Sequence, residues 1–126
     1  MDSHAKSGKE RGARFAFENL DVYPLIEEYL ELVQSIYPTF PKGSANLRDQ
    51  LQRASESILL NLAEGSGKKR GSLDRKRFNR TAAASGTECA AAWEIIRIRG
   101  IASESVTARA RRLIKSIVSM LLGMAR

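Results

Sequence analysis

This sequence predicts an all-α fold, an antiparallel up-down-up-down four-helix bundle, and three observations carry the prediction. Apolar residues recur at intervals of three and four in four separate segments, the period of a single helix face. Proline and glycine clusters punctuate the chain between those segments. No stretch alternates apolar with polar residues as a half-buried strand would. Connections this short make successive helices antiparallel neighbours.

A chain of 126 residues is enough for one domain with a real core. Residues 1–14 are polar and without periodicity, and read as a disordered tail that holds the only histidine, His4. Residues 15–126 form the bundle domain. The first helix is expected to begin between Asn19 and Tyr23, with Pro24 in its first turn, where a missing N–H costs nothing. Val22, Leu25, Ile26, Tyr29, Val33, Ile36 and Tyr37 make its apolar face. Pro38 and Pro41 end it.

The second helix carries Leu47, Leu51, Ala54, Ile58 and Leu62 on one stripe, with Arg48, Asp49, Gln52, Arg53 and Glu56 off it. Gly65 stands where a left-handed C′ residue would stop the helix. Gly67 and Gly71 loosen the turn, and Ser72 is a suitable N-cap for the third helix, which runs to about Arg99. The middle of that helix is small: Ala82, Ala83, Ala84, Ser85, Gly86, Ala90, Ala91 and Ala92. Small side chains let another backbone come close, so this segment belongs deep in the bundle or at a subunit contact. Phe78, Trp93, Ile95, Ile96 and Ile98 add bulk at its ends. Gly100 closes it. Ser103 can cap the fourth helix, whose Val106, Ala110, Leu113, Ile117, Leu121 and Met124 follow near-heptad spacing.

Charge divides the chain in two. Residues 1–63 hold seven Lys/Arg against nine Asp/Glu, a net of −2, whereas residues 64–126 hold fourteen against five, a net of +9. Lys68, Lys69, Arg70, Arg75, Lys76, Arg77 and Arg80 put seven cations into thirteen residues. Several of them sit at the positive end of a helix dipole, where each is unfavourable by roughly 0.3–1 kcal/mol. Asp74 relieves only one. A sequence that breaks a local rule this often marks a functional site, and a polyanion is the natural partner. The competing reading is a solvated polar face. Arg109, Arg111, Arg112 and Lys115 form a second patch on the fourth helix.

The same residues weigh against catalysis. Glu64, at a helix C-terminus, calls for a cationic partner such as Arg53 or a base of the next helix. It has no second acid, histidine or metal-ligand cluster beside it. Asn61 reads as a hydrogen-bonding group of the bundle or turn. Gly65-x-Gly67-Lys68 lacks the spacing of a phosphate loop, and no strand precedes it. The Glu-x-x-His pattern of di-iron bundles is absent. Cys89, the single cysteine, reads as a small core hydrophobe, excludes an internal disulfide and fits a reducing compartment. The start of the chain has no apolar signal segment, and the apolar run Ile117–Ala125 is about half a membrane span. A cytoplasmic protein without cofactor or metal is expected.

Only Phe78 interleaves the cations of residues 68–80, and Trp93 reads as core or interface. That disfavours base-by-base stacking and favours contact with the phosphate backbone.

The segment QLQRASESILLNLAEGSGKKR resembles the signature of the bacterial four-helix bundle protein family, which includes the 23S rRNA intervening-sequence proteins. Gln50, Leu51, Arg53, Ala54, Ser57, Ile58, Asn61, Leu62, Ala63, Glu64 and Gly65 meet its pattern. Upstream, Phe17-Glu18-Asn19-Leu20-Asp21-Val22-Tyr23 is similar to the family's opening. Downstream, Phe78, Arg80, Ala82, Ser85 and Glu88 match its third helix. Asn79 and Thr81 depart from it, standing where large apolar residues are usual. The resemblance covers about residues 17–126.

It implies a ring-shaped homo-oligomer, typically a homopentamer. It also implies a relationship to the accessory protein of diversity-generating retroelements, which binds a reverse transcriptase and nucleic acid. The function expected is therefore that of a non-enzymatic accessory protein binding the backbone of RNA or DNA through the eleven cations named above. The alternative is an oligomeric scaffold that docks a partner such as a reverse transcriptase without touching nucleic acid.

Overall fold

A computed structural model describes residue 12 and residues 14–126. Residues 1–11 and 13, most of the expected tail together with His4, lie outside the described residues. The described chain is all-α, with four helices and no strand: α1 (Tyr23–Ile36), α2 (Ala45–Ser66), α3 (Leu73–Arg99) and α4 (Glu104–Met124). Short 3-10 turns at Ala16–Asn19, Tyr37–Thr39 and Lys42–Ser44 complete it.

The helix ends follow local chemistry. Pro24 occupies the first turn of α1, and around Pro38 and Pro41 the chain forms two 3-10 turns, Tyr37–Thr39 and Lys42–Ser44, in place of continued helix. Ser72 and Ser103 cap α3 and α4, their Oγ atoms accepting from Arg75 N at 3.1 Å and Val106 N at 3.2 Å. Gly100 ends α3 with φ +67°, the left-handed conformation that glycine adopts without a Cβ clash.

Gly65 departs from its expected role. It is not a C′ residue, because α2 continues through it to Ser66 and ends at Gly67 with φ −83°. Gly65 is buried inside the last turn, where an added Cβ would lie 2.8 Å from Phe78 Cβ and 3.4 Å from the Arg75 carbonyl. Its bareness lets the start of α3 cross the end of α2 at short range. Gly86 does the same between α3 and α4: a Cβ there would meet Val118 Cγ2 at 2.6 Å.

α3 packs along both α2 and α4, and α1 touches α2 and α4. The side chains of one core fill the space between them: Ile26, Tyr29, Leu51, Ile58, Leu62, Trp93, Ile96, Ile117 and Leu121 are essentially inaccessible. The whole stripe expected on α2 is buried. In α3 the small residues Ala82, Ala83, Gly86 and Ala92 are buried with Cys89, whereas Ala84 and Ala91 face outward. Ile95 and Ile98 are exposed.

A buried polar chain threads the core. Trp93 Nε1 donates to the Tyr29 hydroxyl at 3.0 Å, that hydroxyl pairs with Ser55 Oγ at 2.9 Å, and Ser55 Oγ lies 3.4 Å from Cys89 Sγ. Three helices are joined by it.

Candidate nucleic-acid interface

The structure sorts the eleven expected contact residues into groups with different surroundings. Three are tied to carboxylates of the same chain. Arg109 reaches Glu28 across to α1 at 2.8 Å, Arg111 reaches Glu94 on α3 at 3.1 Å, and Arg77 lies 3.7 Å from Asp74. Glu94 also accepts from Arg97 at 2.8 Å. That hydrogen bond, together with the positive field of Arg97 and Arg111, holds the Glu94 carboxyl below its ordinary range.

Two more are spent on other structural contacts. Arg80 donates from Nη2 to the Ala125 carbonyl at 3.2 Å, next to the negative end of the α4 dipole. The Lys68 ammonium sits 5.7 Å from the centroid of the Phe78 ring. Phe78 is half-buried, with the Lys68 ammonium over its ring. Trp93 offers no platform for a stacked base, being fully buried.

The remaining six, Lys69, Arg70, Arg75, Lys76, Arg112 and Lys115, form no salt bridge among the described residues. Lys69 is exposed on the turn, and the other five fall in two places. Arg70, Arg75 and Lys76 converge on a cleft of about 340 Å³ at one end of the molecule, joined there by Arg126. Buried Asn79 also lines it, and Leu20 and Met124 supply apolar wall. Gly71, with φ +78°, lets the chain turn tightly at the rim. Arg112 and Lys115 instead line two adjoining open grooves of about 580 and 680 Å³ along α4, one against Thr87 and Ala90 of α3, the other against Leu25 of α1. From Lys115 to Met124 is about 14 Å along the helix axis at 1.5 Å per residue. The two patches are therefore separate. Arg126 is the one member of the first that sequence reasoning did not single out, and its only signal was its charge.

The turn residues Arg53, Asn61, Glu64 and Gly65 resolve differently from one another. Asn61 donates from Nδ2 to the Ser57 carbonyl and to Ser57 Oγ, both at 2.9 Å, and Ser57 Oγ pairs with Ser85 Oγ at 2.8 Å. It therefore braces the α2–α3 contact. Glu64 is exposed and forms no ion pair among the described residues, contrary to the pairing expected. Arg53 cannot reach it. Eleven residues of helix separate them by about 16 Å, and Arg53 shares a shallow groove with Tyr37, Asp49, Gln52 and Glu56.

Among the described residues no three His, Cys, Asp or Glu side chains converge as metal ligands would. Among them also, no helix is long and apolar enough to cross a membrane. Burial pushes both the Cys89 thiol and the Tyr29 hydroxyl above their ordinary pKa values. Neither is a nucleophile at neutral pH.

A comparison with curated proteins gave no match. The sequence model of the 23S rRNA-intervening sequence protein family matches residues 18–123, which takes in all but the last residue of the four helices. With the signature of α2 standing in one of four helices packed as described, the chain belongs to the 23S rRNA-intervening sequence protein family.

Proposed function

We propose that this protein is a non-enzymatic, cytoplasmic accessory protein that binds the phosphate backbone of RNA or DNA as a homo-oligomer. The observation that carries the proposal is the set of cations that form no salt bridge among the described residues. Lys69, Arg70, Arg75 and Lys76 crowd the α2–α3 turn and the first turns of α3 with no salt bridge to a carboxylate among the described residues. Among the described residues Asp74 alone in the first turn of α3 offsets that crowding, and it is engaged with Arg77; phosphate would offset the rest. Arg112 and Lys115 give a second, weaker patch. Arg109 and Arg111, held by Glu28 and Glu94, contribute less. An rRNA-related role agrees with the family description.

In this reading the helices run up-down-up-down and the subunits close into a ring, a pentamer by family resemblance. The exposed Leu60, Leu73, Ile95, Ile98 and Leu122 support self-association. A ring multiplies one modest patch by avidity. The relationship to retroelement accessory proteins belongs to the same proposal.

Charge reversal at Arg75, Lys76 and Arg77 tests the reading. It predicts loss of RNA and DNA binding with the helical content intact, and unchanged binding would overturn it. The exposed apolar residues favour a second reading, a scaffold that docks a protein such as a reverse transcriptase. Nuclease treatment of a pull-down separates the two: a partner that survives digestion supports the scaffold, and one that vanishes supports nucleic-acid binding.

A further inference from the structure

We infer that the cleft at the α2–α3 end is a seat for a phosphate monoester, the terminal phosphate of a nucleic-acid strand. The inference rests on the nucleic-acid reading above and assigns a distinct task to one part of that surface.

Two independent observations point to a ligand there. The first is charge: Arg70, Arg75, Lys76 and Arg126 surround one space of about 340 Å³, and none of them is salt-bridged among the described residues. The one acid in the first turn of α3, Asp74, is engaged with Arg77. The second is Asn79. Its side chain is only 2 % exposed, yet among the described residues it has no hydrogen-bond partner. Its amide atoms are not fully excluded from solvent. The space that keeps them accessible is the cleft, which Asn79 lines. An amide with no partner in the protein, opening onto such a space, is free to donate to an acceptor seated there.

The chemistry of the acceptor follows from the surroundings. Four cations exceed what one backbone diester can neutralise, whereas a monoester carries about 1.5–2 negative charges at neutral pH and presents three acceptor oxygens. Arginines suit it by forked contact. The cleft also has a floor, at Asn79, and an apolar wall, at Leu20 and Met124. A strand end can be lowered onto that floor, while a phosphate in mid-strand carries a sugar on each side.

The test compares one short single-stranded RNA in four forms: 5′-phosphate, 3′-phosphate, both ends hydroxyl, and a hydroxyl-ended strand one nucleotide longer as a control for added charge. Adenosine monophosphate is titrated alongside. A terminal phosphate at one end or the other is expected to tighten binding about tenfold over both hydroxyl strands, as a charged hydrogen-bond set does. Asn79→Asp, of the same shape but anionic, abolishes that preference. Arg126→Gln, at an exposed position outside the core, reduces it and serves if Asn79→Asp fails to fold. Equal binding of all four strands, still steeply salt-dependent, overturns the seat and leaves the proposed function standing. Absence of binding to any strand at low salt overturns the proposed function. Adenosine monophosphate binding to the cleft in that case would also overturn the strand end as its source.

Discussion

Trp93 Nε1 donates to the Tyr29 hydroxyl at 3.0 Å, tying the C-terminal third of α3 to α1 inside the buried core. The same hydroxyl meets Ser55 of α2 at 2.9 Å, so one oxygen fixes three helices in register. Satisfied buried networks of this kind specify one packing over its near neighbours, and half-satisfied ones are costly.

Tyr29→Phe removes that oxygen and leaves the indole N–H unpaired. The expected loss is about 1–3 kcal/mol of unfolding free energy, read from urea denaturation. Trp93 is the only tryptophan, so its fluorescence follows unfolding directly. A variant as stable as the parent would show that the network does not hold the helices.

The close crossings at Gly65 and Gly86 predict a sign reversal among glycine-to-alanine changes. In an exposed helix that change stabilises by about 0.5–1 kcal/mol, and Gly123→Ala, with open space around its would-be Cβ, is expected to do so. Gly65→Ala and Gly86→Ala push a methyl into Phe78 and Val118. They are expected to destabilise by about 1–3 kcal/mol, the usual cost of overpacking. Thermal melts of the three variants decide it. Stabilisation by all three would mean that the helices stand further apart than described.

Alkaline pH should weaken the fold. Burial raises the pKa of both Cys89 and Tyr29 in the folded chain. In the unfolded chain they ionise near their ordinary values, about 8.5 and about 10. Below the first value both states are fully protonated and this contribution is intact. As pH rises beyond it the unfolded state alone gives up protons, and stability falls. Urea midpoints measured from neutral pH to about pH 10 should decline, and Cys89→Ala should delay the decline. A flat profile contradicts it.

The ion pair between Arg109 and Glu28 is half exposed at both ends. Pairs of that kind contribute about 0–1 kcal/mol, so Arg109→Ala should barely move the melting temperature. It should also weaken RNA binding less than Arg75→Ala does, because its charge is already answered. Equal losses from the two substitutions would erase the distinction between paired and unpaired cations.

Much of the fold could be read in advance, and the reasons are local. The stripe from Leu47 to Leu62, the serine caps at Ser72 and Ser103 and the glycine at Gly100 each follow from short-range rules. Gly65 could not be read this way: a stop glycine and a close-approach glycine look alike until the neighbouring helix is placed. The Tyr29–Ser55–Cys89–Trp93 chain joins residues up to 64 positions apart, so no local pattern announces it. The cations were visible as a block, but which of them are answered by Glu28, Glu94 and Asp74 depended on tertiary placement. Asn79 was visible only as a misfit on an apolar face. The structure gives that misfit a place, the floor of a cationic cleft.

The central claim is that the cations without a salt bridge among the described residues meet phosphate. The most direct measurement is the affinity for a short single-stranded RNA across a salt series, for the parent protein and for a variant with Lys69, Arg70, Arg75 and Lys76 changed to Gln. The parent should lose log affinity linearly with log salt, at about −0.7 per phosphate contact, and the variant's slope should be shallower by about 3. Identical slopes for the two proteins, or binding indifferent to salt, would contradict the account.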